Sequence, residues 1–147
     1  MSYRKIVCGV TGSTHAQKAA LEAATLAKTH GAELVLVYVV DTEFFRKGLA
    51  VEVSSKSVGE TLSHLGTHIL DLAEQLALTQ GVSPKKVVKS GTVMEGLVQV
   101  IKEEGADLLV VGHEHKTFFE KHFFKGSVED HIQELEQRSG VKVQVVE

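Results

Sequence analysis

Tryptophan is absent, tyrosine occurs twice and a single cysteine serves all 147 residues. One cysteine excludes an internal disulfide framework. Cys8, set in Ile6-Val-Cys-Gly-Val10, is expected to be a small buried hydrophobe, because nothing beside it in the sequence lowers a thiol pKa. A formal charge of -3 without a basic stripe argues against a nucleic-acid surface. No apolar run approaches the ~20 residues that cross a bilayer. Met1-Ser-Tyr-Arg-Lys5 leads into a strand without a signal-peptide core, so a cytoplasmic location with no membrane or nucleic-acid partner is expected.

Catalytic signatures are equally scarce. There is no Gly-x-Ser-x-Gly elbow, no Cys and His pairing, and no acid pair placed at strand ends for proton transfer. A zinc protease would need His-Glu-x-x-His, whereas the run here is His113-Glu-His-Lys116. His113, His115, His122 and His131, with Glu114 and Glu120 among them, lack a diagnostic ligand spacing and are read as polar loop histidines, with no metal expected.

What is present is regular. Hydrophobic content of 43% and charged content of 24% belong to an ordinary globular chain, and 147 residues suffice for one domain, 1–147, with a substantial core. Lys5 to Val10 reads as a short β-branched strand. Behind the capping candidates Ser13 and Thr14, Ala16, Ala19, Ala20, Ala23, Ala24 and Ala27 recur at helical spacing. Gly31 stops that helix, and Glu33 to Val40 is a near-continuous apolar run, as in a strand covered on both faces. Asp41 to Gly59 has no sustained period and is read as a connecting excursion. Leu62, Leu65, Ile69, Leu72, Ala73 and Leu76 form an apolar stripe ending near Gly81, and Pro84 opens the way to a strand at Lys86 to Lys89. A helix from Val93 to Glu104, a strand from Asp107 to Val111, a helix from Ser127 to about Gln137 and a strand from Val141 to Val146 complete the chain. Strands alternating with helices imply an α/β fold, a single parallel sheet wound on both faces.

In such sheets ligands sit at the carboxyl ends of the strands where the winding reverses. The candidate positions are therefore Thr11 to Thr14, Val39 to Asp41, and the loop from Gly112 to Ser127. Gly12 permits a tight turn, and the hydroxyls of Thr11, Ser13 and Thr14 serve either as helix caps or as anion donors. In Lys125-Gly126-Ser127-Val128 the glycine admits close backbone approach and the helix start offers amides and a favourable dipole. Phe118, Phe119, Phe123 and Phe124 are read as a packed apolar face in that loop, although they could also stack on a base.

The order of elements, Ala106-Asp-Leu-Leu-Val-Val-Gly112, the later Gly126-Ser127-Val128, Gly91 and the terminal Val-Lys-Val-Gln-Val-Val resemble the universal stress protein (UspA-like) family over essentially the whole chain. The resemblance implies a Rossmann-like three-layer α/β/α domain, adenine nucleotide alpha hydrolase-like, with five parallel strands in the order 3-2-1-4-5. It implies a stress-linked regulatory role and, in nucleotide-binding members, ATP or AMP at the crevice of the first and fourth strands. Carried onto this chain, the contacts would be Thr11, Gly12, Ser13, Val39, Val40, Gly112, His113, His115, Gly126, Ser127 and Val128. Two positions depart from the family pattern. His115 stands where a second glycine is usual, followed by ten rather than nine residues before Gly126, and Thr11 replaces an aspartate.

Four functions stay open. The chain is a nucleotide-responsive module, a ligand-free dimeric interaction protein, a slow nucleotide hydrolase with Asp41 and Glu114 as its candidate acids, or a flavodoxin-like FMN binder. The last is disfavoured by the missing tryptophan and scarce tyrosine that would sandwich a flavin. A homodimer is expected through the last strand, where Val141, Val143 and Val145 mark an edge that a second copy would cover.

Overall fold

The computed structural model describes residues 3–10, 14–40, 55–112 and 128–146, with side chains over 3–10, 17–40, 64–112 and 132–146. The strands are β1 (Lys5–Gly9), β2 (Glu33–Val40), β3 (Lys85–Ser90), β4 (Leu108–Gly112) and β5 (Lys142–Val146). The helices are α1 (Thr14–His30), α2 (Ser55–Thr79), α3 (Val93–Glu104) and α4 (Val128–Ser139). All strand pairs are parallel, in the order β3-β2-β1-β4-β5. The expected sheet and strand order are therefore observed.

Helices cover both faces because successive side chains of each strand point to opposite sides. Ile6, Cys8, Leu34, Leu36, Leu108 and Val110 pack with α1 and α2. Val7, Val35, Val37, Leu109 and Val143 pack with α3 and α4. The central strands β1 and β4 have Ile6, Val7, Cys8, Leu108, Leu109 and Val110 fully buried. Each large side chain among them contributes about 1.5–3 kcal/mol relative to exposure. Ala19, Ala20, Ala23 and Ala24 are also fully buried, so α1 lies on the sheet by a face of single methyl groups.

Three sequence expectations change. Helix α2 begins at Ser55, inside the stretch expected to be a connection up to Gly59, because Val58 and Leu62 extend the helical spacing of Leu65 and Ile69 backwards. Thr14 is the first helical residue and so is not the cap. The apolar stripe of α2 is also only partly its inner face, Ile69 and Ala73 packing inward. Leu70, Ala73 and Ala77 are buried, whereas Leu65 and Leu72 remain 48% and 47% exposed. The reason is Tyr38 on β2: a Cβ on Gly66 would overlap its ring, at 2.8 Å from Cε1, so the small-residue face of α2 is the one that fits against the strand. Strand and helix limits otherwise shift by one or two residues, with β5 starting at Lys142 rather than Val141.

Helix α3 matches its expected span. Thr92 caps it by accepting a hydrogen bond from the Glu95 amide at 3.2 Å, and Gly105 ends it at φ 66°, donating to Ile101 O.

Candidate functional site

Winding reverses at β1, whose neighbours are β2 on one side and β4 on the other. α1 and α2 flank the sheet on one face, α3 and α4 on the other, so the connections leaving β1 and β4 part to opposite sides and leave a crevice at the carboxyl ends of those strands. The last β1–β4 pair is Cys8 with Val110. Two residues further on, the strands reach Val10 and Gly112, the latter also paired with Val146 of β5.

Backbone hydrogen bonds fix this rim. Val10 N–H donates to Val37 O at 2.8 Å, prolonging the β1–β2 ladder, and Gly91 N–H donates to Val40 O at 3.0 Å, tying the turn before α3 to the end of β2. Val10 and Val40 are buried, while Val39, Val111 and Gly112 are partly exposed. These strand ends offer valine methyls and peptide groups but no titratable side chain. Helices α1 and α4 start at Thr14 and Val128, directly after the connections from β1 and β4, so both amino termini lie at this edge of the parallel sheet. Such an arrangement suits holding an anionic ligand with an apolar part. Among the described residues at this edge there is no side chain to transfer a proton.

Of the residues expected to contact a ligand, Val39 and Val40 end β2, Gly112 ends β4 and Val128 opens α4. Thr11, Gly12, Ser13, His113, His115, Gly126 and Ser127 lie outside the described residues, as do Asp41, Glu114, the phenylalanines of 118–124 and the side chains of His122 and His131. Among the described residues no group of histidine, cysteine, aspartate and glutamate side chains could hold a metal ion.

Two positions missed from the sequence shape the crevice walls. Gly96 on α3 lets that helix approach Val39 until an added Cβ would stand 2.8 Å from Cγ2. Gly9 is filled by Leu97, whose Cδ2 lies 3.2 Å from the position of an added Cβ, so it serves helix packing rather than a ligand cradle. A glycine inside a strand or helix pattern is itself the sequence signal for such close approach.

Among the described residues, burial raises the pKa of the Tyr38 phenol beside Val39, and the other perturbed titrations lie elsewhere. Burial pushes the Cys8 thiol up to about 12, in keeping with an inert core residue. At the amino ends of the strands, Glu104 pairs with Lys85 at 2.5 Å and with Lys5 at 3.2 Å, and Lys5 pairs with Glu33 at 3.1 Å. The Lys85 hydrogen bond, then that of Lys5, holds the Glu104 carboxyl below its ordinary value, and the bonds to Glu33 and Glu104 raise Lys5. A cavity of about 640 Å³ at this end is lined by Lys5, Lys28, Gly31, Glu33, Gly81 and Lys85 among others. Lys5 and Lys85 there are paired with Glu33 and Glu104, and the cavity lies at the opposite end of the sheet from the crevice.

Comparison with known proteins gives a consistent result. The model of the Universal stress protein family matches residues 2–135. The universal stress protein MJ0531 of Methanocaldococcus jannaschii is 32% identical over 130 residues, covering 88% of this chain and 75% of that protein. Among solved structures, UspA from Lactobacillus plantarum superposes with a TM-score of 0.76 at 21% identity, covering 100% of this chain and 99% of that one. A universal stress protein in complex with cAMP gives 0.71 at 23% identity, covering 99% and 98%. One from Archaeoglobus fulgidus in complex with dAMP gives 0.65 at 15% identity, covering all of both chains. At these identities the structural likeness shows the fold, here an α/β Rossmann-like one.

Proposed function

We propose, from the premise that this chain belongs to the universal stress protein family, that it is a regulatory module taking an adenine nucleotide, ATP or AMP, between the carboxyl ends of β1 and β4. The observation that carries the proposal is the winding reversal at β1. It sets Val10 beside Gly112 and brings two helix starts, at Thr14 and Val128, to the same edge. In this reading Gly126 and Ser127 supply backbone approach and a hydroxyl to phosphate, with Thr11, Gly12, Ser13, His113 and His115 around it. The base lies against Val39 and Val40. Relatives of the same fold in complex with cAMP and dAMP support the ligand class. No catalytic group is assigned.

A homodimer through β5 forms part of the proposal. β5 is hydrogen-bonded to β4 alone, so its other edge lacks a strand partner among the described residues. One edge donor there is already engaged: Val143 N–H donates to the Glu136 carboxylate at 3.1 Å, and Val143 packs into the core beneath α4. By strand alternation Val145 turns its peptide groups the same way. A second copy would exchange the single Glu136 contact for a ladder.

The departures at Thr11 and His115 favour the alternative of a dimeric interaction module without nucleotide. Calorimetric titration with ATP and AMP, with and without magnesium and after a check for co-purified nucleotide, separates the two. Saturable binding that Gly126→Ala and Ser127→Ala both weaken is the expected result. Silence with every nucleotide overturns the proposal in favour of the alternative.

A further inference from the structure

We infer that the three lysines of β3 close the outer edge of that strand to strand addition, so that a second copy extends the sheet only at β5. The inference rests on the β5 pairing proposed above for its second half; the closure of β3 stands on its own observations. β3 is hydrogen-bonded to β2 alone and forms one free edge of the sheet among the described residues. Half of its residues, in Lys85-Lys-Val-Val-Lys-Ser90, are lysines.

Each lysine is tied to a flanking helix. Lys86 reaches Asp71 at 2.9 Å and Glu74 at 3.2 Å on α2, while Lys89 reaches Glu103 at 2.8 Å and Lys85 reaches Glu104 at 2.5 Å on α3. The pairs alternate with the pleat, so the strand is strapped from both faces. The straps hold each charge at the edge, where an incoming strand would have to bury it. Partly exposed ion pairs contribute modestly to stability, and their placement along a free edge has a second consequence.

The consequence for self-association follows from register. If a second β3 approached antiparallel about Val87, Val87 would face its own copy, Lys86 would face Val88 and Lys85 would face Lys89 twice, like charges directly opposed. Charged edge residues are a recognised obstacle to such pairing. β5, Lys142-Val-Gln-Val-Val146, carries one lysine at its start and is otherwise uncharged.

Closure matters because of symmetry. Pairing two β5 edges about a two-fold axis yields one continuous sheet with β3 at both ends. Were those ends self-complementary, every dimer would offer two further edges and growth would not stop. The lysines convert an open-ended assembly into a closed one.

The test uses the full chain carrying Lys86→Thr and Lys89→Thr, with multi-angle light scattering over a concentration series and far-ultraviolet circular dichroism as the folding check. The expected result is a folded protein whose mass climbs with concentration beyond that of the wild type. Adding Val88→Lys, at a site 39% exposed, returns charge to the edge without restoring either ion pair, and should restore a discrete mass. A folded double variant with wild-type mass throughout overturns the inference. So does continued growth in the triple variant, which would mark the association as unrelated to this edge. A monomeric wild type would refute the β5 pairing instead. The closure of β3 is then judged by the double variant, which upholds it as a dimer and overturns it as a monomer.

Discussion

Replacing Gly96 by alanine sets two effects of opposite sign against each other. Gly96 lies inside α3, where alanine is favoured over glycine by about 1 kcal/mol of helix propensity. Were the site open, the substitution would stabilise. It is not open, because an added Cβ falls 2.8 Å from Val39 Cγ2, 2.9 Å from Cγ1 and 3.4 Å from Cβ. Both methyl approaches are roughly 0.6 Å short of an ordinary carbon contact. Rotating Val39 about χ1 does not clear them, since each alternative staggered position keeps one methyl where a methyl stands now. The helix must therefore lift, yet Leu97, Val98, Val100 and Ile101 hold it to the sheet. Overpacking of this kind costs about 1–3 kcal/mol, which leaves a net loss of roughly 1 kcal/mol, up to about 2, after the propensity gain. In a chain of this size that lowers the thermal midpoint by roughly 2–8 °C. Thermal and urea unfolding followed by circular dichroism would measure it. Combining Gly96→Ala with Val39→Ala should recover about 1 kcal/mol relative to the sum of the single changes. A midpoint that rises in Gly96→Ala, or strict additivity in the double variant, refutes the steric reasoning.

The same geometry predicts that Gly66→Ala destabilises by about 1–3 kcal/mol and perturbs tyrosine fluorescence, since its Cβ would overlap the half-buried Tyr38 ring; an unchanged midpoint would contradict it. Cys8, fully buried and with its thiol pushed up to about 12, should ignore a disulfide reagent in the native protein and titrate as a single thiol after urea unfolding. Prompt native reactivity would count against its burial. For the cluster at Glu104, the lowered carboxyl contributes stability that is present above its ordinary 4.5 and fades as pH falls through the lowered value. The raised Lys5 contributes below 10.5 and fades as pH rises through its own raised value. Midpoints measured across the acid limb should fall less steeply in Glu104→Gln than in the wild type, and superimposable limbs would refute the assignment.

Element order was legible because each strand of a parallel sheet is covered on both faces and reads as a continuous apolar run, as Glu33 to Val40 does. The inner face of α2 was legible only in part, through Ile69 and Ala73. Leu65, Ile69, Leu72 and Leu76 have the cleaner apolar spacing, but which face packs was decided by the Tyr38 ring against Gly66, a contact between elements remote in sequence. The ion pairs of β3 and of Glu104 were illegible for the same reason: Lys85 and Glu104 are nineteen residues apart and meet only through the β3–α3 crossover. Thr14 was misjudged as a cap because Ser and Thr side by side give the same signal one residue apart. At the site, the sequence located Val39, Val40 and Gly112 at strand ends, since hydrophobic runs stop there. It passed over Gly96, whose role depends on a strand more than fifty residues earlier.

Sheet polarity accounts for the location of the crevice more firmly than any motif does. In a parallel sheet every crossover helix turns its carboxyl terminus toward the amino ends of the strands, where partial negative charge accumulates. This chain answers with basic side chains in the last turns of three of the four helices: Lys28 and His30 on α1, Lys102 on α3 and Arg138 on α4. Lys5 and Lys85 join them, balanced by Glu33 and Glu104, while the Asp107 carboxylate accepts from the amides of Arg4 and Lys5 at 2.9 and 3.2 Å. Much of the charge at that end is paired within the fold. Among the described residues the ends of β1, β2 and β4 hold valines and glycine, and α1 and α4 turn the positive ends of their dipoles to that edge. That polarity favours an anion at the carboxyl edge over one at the amino edge.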